Sequence, residues 1–149
     1  MAELHPIAIH FPIALALLWP VIDLLGLLLK KPDLSRLGLG LLGFALLASL
    51  VATATGQAAF DQALAAKVAP ELLNTHADDA NLLPWLWLLL LVARFLLAQR
   101  LGRAGHGAGI ALGLLAILFV FQVGKSGGEL VYRHGVGVQA LPQTSQKAN

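Results

Sequence analysis

His5-Pro6-Ile7-Ala8-Ile9-His10-Phe11-Pro12 opens an apolar run that continues to Leu29, with Asp23 as its one further ionisable residue. A run of this length spans a bilayer core with some tilt. Two histidines at its mouth need a reason, because ionisable side chains are costly at membrane depth and imidazole is the commonest metal ligand. Pro12 suits the first turn of a helix beginning near His10 or Phe11, which puts His5-Pro6 on an entry segment. In one continuous helix, five residues at ~100° each set His5 and His10 about 140° apart, too far round to share one ligand.

The rest of the chain is equally apolar. Of its 149 residues 58% are hydrophobic and 12% charged, with a mean hydropathy of +0.77. Soluble domains carry about twice that charge fraction, so lipid is expected to solvate much of the surface. The pI of 9.3 reflects a net charge of only +2. No basic stripe with interleaved aromatics accompanies it, which argues against nucleic acid. The absence of cysteine excludes disulfides, thiolate metal sites, iron–sulfur clusters and covalently attached haem. The N-terminus lacks the basic region and small-residue cleavage site of a signal peptide, so the first run is expected to stay as a transmembrane helix.

Four crossings are predicted, at about 7–29, 37–59, 76–98 and 108–132, in one domain (1–141) followed by a disordered polar tail (142–149). Gly38, Gly40 and Gly43 give the second crossing a small face for helix packing. Ala58 to Val68 reads as a short amphipathic interfacial helix. Thr75-His76-Ala77-Asp78 reads as a capping box that opens the third crossing at His76. Trp85 and Trp87 fall where an aromatic belt is expected, and Arg94 near the inner end is expected to snorkel. Gln99 to Gly107 forms a basic turn, with His106 solvated in it. Gly124 and Gly128 form a small-xxx-small pair in the fourth crossing. Gly124-Lys125-Ser126 ends like a phosphate loop, but position 119 is Phe and no strand precedes it, so nucleotide binding is excluded. No internal repeat is apparent.

The fold class is therefore an all-α integral membrane four-helix bundle with both termini on one side. Lys30, Lys31, Arg36, Arg94, Arg100 and Arg103 flank the two opposite turns. The positive-inside rule makes those turns cytoplasmic and the termini periplasmic. His5, His10, His76 and His134 then converge on the outer face from three helices. Asp23 lies inside the first helix, where proton relay and an interfacial position are equally good readings.

The motifs His5-Pro6-x-x-x-His10-Phe11-Pro12 and Gly127-Gly128-x-Leu130-Val131-Tyr132-x-His134-Gly135-Val136 resemble those of an uncharacterised family of bacterial four-helix inner-membrane proteins. Some relatives resemble domains fused to, or encoded beside, electron-transfer proteins, which makes haem ligation plausible by analogy. A four-helix interior suits porphyrin, with His10 and either His76 or His134 as axial ligands and His5 a weaker candidate. Asp78 and Asp79 would accept the second ring N–H of His76, with Tyr132, Gly127 and Gly128 completing the surroundings. The expected function is electron transport by b-type haem. The alternatives are a copper, zinc or iron ion held by His5, His10, His76 and His134, or an accessory subunit of a larger membrane complex. The expected partners are the lipid bilayer and a redox protein or such a complex, and a stand-alone enzyme is not expected.

Overall fold

The computed structural model describes residues 2–138, and every described element is helical. The predicted tail at 142–149 lies outside the described residues. A 3₁₀ turn (Ala2–Leu4) leads into helix α1 (His5–Ala8), and Ile9 joins this to α2 (His10–Leu28). Ile9 is itself helical (φ −63°, ψ −25°), so α1 and α2 run on without a sharp break. Helix α3 covers Pro32–Ala65 and α4 covers Pro70–His134. Three helices, Ala2–Leu28, Pro32–Ala65 and Pro70–His134, are long and apolar enough to cross a membrane.

Proline and glycine set the breaks. Pro32 and Pro70 each begin a helix, where the missing N–H costs nothing. Gly135 ends α4 at φ 66°, and its N–H donates to Val131 O. Gly102 interrupts α4 with φ 55° and ψ −128°, a conformation essentially confined to glycine. Around it α4 folds back on itself. A methyl group on Gly105 would lie 1.9 Å from Leu97 O, and one on Gly109 2.6 Å from Arg94 Cδ. The arms 70–101 and 103–134 are therefore antiparallel neighbours.

Helices α2 and α3 pair in the same way. A methyl on Gly26 would meet Ser35, one on Gly38 would lie 2.8 Å from Asp23 Cβ, and one on Gly56 3.0 Å from His5 Cε1. The chain is thus two antiparallel hairpins, and they superpose in sequence without a gap. His5, Asp23, Gly38 and Gly56 correspond to His76, Arg94, Gly109 and Gly127, each 71 positions on (5 and 76, 23 and 94, 38 and 109, 56 and 127). Six further pairs of buried positions follow the same rule. Ala16, Trp19, Leu42, Ala45, Ser49 and Ala52 are buried, and so are their counterparts Trp87, Leu90, Gly113, Ala116, Val120 and Val123. This corrects the expectation that the chain has no internal repeat. The repeat is one of burial and of a few polar and glycine positions, and most other pairs match only in being apolar.

The core lies where the hairpins meet, around Ala16, Trp19, Leu42, Trp87, Leu90, Ala116 and Val120. Trp19 seats against Gly113, where a methyl would come 2.1 Å from its Cζ2. Trp87 is therefore a core residue and not part of an aromatic belt, while Trp85 is 69% exposed.

Several boundaries differ from those read in the sequence. Helix α3 continues through the predicted interfacial segment to Ala65, because Ala63 packs into a second apolar cluster with Leu73 and Leu130. Helix α4 starts at Pro70, so His76 lies in its second turn, and the Thr75 hydroxyl donates to Glu71 O in place of capping. Between Gln99 and Gly107 only Gly102 departs from helical geometry. Of the three glycines expected to pack, Gly38 does. Gly40 and Gly43 face open space, as do Gly124 and Gly128.

Candidate functional site

The repeat places polar groups at two levels. On each of the four helical segments the marked residues are eighteen positions apart: His5 to Asp23, Gly38 to Gly56, His76 to Arg94 and Gly109 to Gly127. Eighteen residues make about five turns and about 27 Å, so both levels fall on one face of each segment, roughly a hydrocarbon core apart.

One level holds the histidine pair. His5 Nδ1 lies 3.1 Å from Ala52 O and 3.3 Å from Thr55 Oγ1. His76 Nδ1 lies 2.9 Å from Ser126 Oγ. The Ala52 carbonyl can only accept, so Nδ1 of His5 donates to it. Thr55 already donates to Val51 O or Ala52 O, and Ser126 donates to Val123 O. Each hydroxyl oxygen therefore accepts, and each Nδ1 carries the proton. That leaves Nε2 of both rings with a lone pair, and among the described residues neither Nε2 makes a hydrogen bond. Both rings are half-buried and lie against a glycine, His5 on Gly56 and His76 on Gly127. Thr55 and Ser126 are repeat partners, as are Ala52 and Val123, so the two histidines have equivalent surroundings.

The other predicted site residues lie apart from this pair. His10 is exposed, because it stands on a different side of the rod from His5. His134 ends α4 and is exposed, as are Asp78 and Tyr132, the last at 91%. Gly127 accommodates the His76 ring, and Gly128 has open space beside it. Among the described residues no three His, Asp or Glu side chains come together in a way that would hold a metal ion.

The second level is ionic. Asp23 is fully buried and Arg94 is 4% exposed. Arg94 Nε donates to Asp23 Oδ2 at 2.6 Å and Nη2 to Oδ1 at 2.9 Å, a bidentate pair. His106 Nε2 lies 2.7 Å from Asp23 Oδ1 and also abuts Arg94 Nη2. A protonated Nε2 donates to Asp23, whereas an unprotonated one accepts from Arg94, so the tautomer of His106 selects its partner. Arg94 does not snorkel and His106 is not a solvated loop residue; both are drawn inward by Asp23. Gly38 and Gly109 bring the backbones close enough for this contact. The available signal was Asp23 itself, since a carboxylate inside an apolar helix needs a cation.

No curated protein and no solved structure matches the chain. One family model does, covering residues 2–140 and described as "Predicted membrane protein (DUF2231)", and the chain belongs to that family.

Proposed function

We propose that this protein is an electron carrier of the bacterial inner membrane that binds b-type haem through His5 and His76. In this reading four helical segments cross the bilayer, both termini are periplasmic, and the haem site lies near the outer face. The observation that carries it is the paired tautomer: two imidazoles from equivalent positions, each with Nδ1–H held by an acceptor and Nε2 free. A hydrogen-bonded Nδ1–H orients the ring and makes Nε2 more basic, as at metal-ligating histidines generally. Six-coordinate haem iron takes two such ligands, and bound b-type haem supplies a one-electron couple. A bare tetrahedral ion wants three or four protein ligands, which the described residues do not bring together. The ligand pair thus shifts from His10 to His5.

Orientation follows from the basic residues at 30–36 and 94–103, which gather at the end opposite the histidine pair. Thr55, Ala52 and Ser126 hold the ligand rings, while Gly56 and Gly127 let those rings sit against the neighbouring backbone. The test is the absorption spectrum of the protein in mild detergent, before and after reduction. A Soret band that shifts on reduction is expected, retained in His10→Ala and lost in His5→Ala and in His76→Ala. A featureless spectrum overturns the haem assignment. Elemental analysis would then identify a bare ion, and a metal-free protein that co-purifies with a larger assembly would be an accessory subunit.

A further inference from the structure

Beside the buried ion pair, at the end away from His5 and His76, a cavity of about 520 Å³ opens to the surface. Its lining includes Lys30, Arg36, Arg94, Arg103 and His106, with no carboxylate among the lining residues. Arg94 is answered by Asp23 behind it, and Arg36 by Asp33 at 2.7 Å on the surface. Lys30 and Arg103 have no carboxylate partner among the described residues. Arg103 Nη2 donates to Leu27 O at 3.2 Å, so the cavity presents two positive charges with no carboxylate to neutralise them. The first turn of α3, beginning at Pro32, adds the positive end of a helix dipole.

A second cavity, of about 370 Å³, adjoins it. Leu39 and Phe95 line both, and Leu91, Val92 and Leu96 complete the second, which has no polar lining residue. Cationic cavity and apolar groove are thus continuous, and the groove runs from the charged end toward the middle of the helices.

The repeat gives an internal control. If these cations served only to build a hairpin, both hairpins should carry them. They do not: the counterparts of Lys30, Arg36, Arg94 and Arg103 are Leu101, Gly107, Asp23 and Pro32. Lys30 occupies the left-handed region at φ 56°, where glycine is favoured, as does Lys67 at φ 64°.

We propose that this cavity and groove form a binding site for one anionic phospholipid, its phosphate beside Lys30 and Arg103 and an acyl chain along Leu39, Leu91 and Phe95. Basic pockets between transmembrane helices hold anionic head groups because phosphate meets fixed cations in a poorly screened setting. The site is independent of any haem, since it lies at the other polar level.

Native mass spectrometry of the delipidated protein tests it, with phosphatidylglycerol and phosphatidylcholine of the same acyl chains as probes. Phosphatidylglycerol is expected to bind about 25-fold more tightly, each of the two cations contributing about fivefold. Lys30→Gly should weaken phosphatidylglycerol about fivefold and leave phosphatidylcholine unchanged, without loss of thermal stability because glycine suits that backbone. Adding Arg103→Gln should abolish the preference. Lys125→Gln, at the far end, should preserve it. Equal binding of the two lipids overturns the proposal, as does a preference that survives the double variant or is lost in Lys125→Gln. Inorganic phosphate binding as tightly as phosphatidylglycerol would overturn the lipid assignment and make the cavity a free-anion site.

Discussion

Asp23 and Arg94 occupy equivalent positions in the two hairpins and pair with each other across the junction, Nε to Oδ2 at 2.6 Å and Nη2 to Oδ1 at 2.9 Å. Repeat-related positions that meet at such a junction cannot both be acidic or both basic, since buried like charges repel. Opposite charges at these two positions satisfy each other and join the hairpins.

Breaking that pair should be costly. Arg94→Ala leaves a buried carboxylate and is expected to lower stability by about 3–5 kcal/mol, read as a large fall in Tm in detergent. Because the two positions are equivalent, the exchange Asp23→Arg with Arg94→Asp should recover most of the loss. A double variant no more stable than Arg94→Ala would contradict the equivalence.

His106→Ala should be milder, at about 1–2 kcal/mol, because the Arg94–Asp23 pair survives and the ring is partly exposed. Thermal unfolding of this variant beside Arg94→Ala would rank the two contributions, and equal losses would contradict the bidentate pair as the main contact.

The glycines divide into two classes by what a methyl would meet. Gly113→Ala forces Trp19 to move, and about 1–3 kcal/mol or more should be lost. Gly40, Gly43 and Gly124 sit in helices beside open space, so replacement by Ala should stabilise by up to ~1 kcal/mol each. Thermal denaturation of the single variants separates the classes by sign.

Gly102→Ala places a Cβ on a backbone at φ 55° and ψ −128°, and a cost of about 1–3 kcal/mol is expected. An alanine variant as stable as wild type would mean that the break in α4 does not rest on this conformation.

If His5 and His76 are haem ligands, their hydroxyl supports should weigh alike. Thr55→Val leaves Ala52 O to accept from His5, and Ser126→Ala leaves the Val123 backbone beside His76. Haem retention in a titration should therefore fall in both variants, by less than about tenfold in each. A loss in one variant with none in the other would count against these equivalent roles.

Much of the fold was legible because it rests on local signals. Long apolar runs gave the helices, although α3 and α4 begin at Pro32 and Pro70 and not at the expected 37 and 76. His5 and His76 were also legible as candidates, since histidine at a helix entry is rare without a purpose. The shift from His10 to His5 was half visible in the 140° separation of the two residues, but which of them faces inward depends on the packing of α3. The repeat was hidden because apolar side chains interchange freely against lipid and core, leaving few non-apolar identities, as at His5 and His76, Gly38 and Gly109, and Gly56 and Gly127.

The sequence by itself determined an apolar helical chain for a membrane, with six of its ten Lys and Arg residues read as flanking one end and four of its five histidines the other. Those properties follow from composition and from order along the chain, which need no partner. Only the tertiary structure decided that Arg94 and His106 turn inward to Asp23, that Trp87 is core, and that His5 and His76 each pack on a glycine while His10 is exposed. Each of these depends on which helix face meets which neighbour. That choice is made by close contacts at Gly38, Gly56, Gly109, Gly113 and Gly127, between residues distant in the chain.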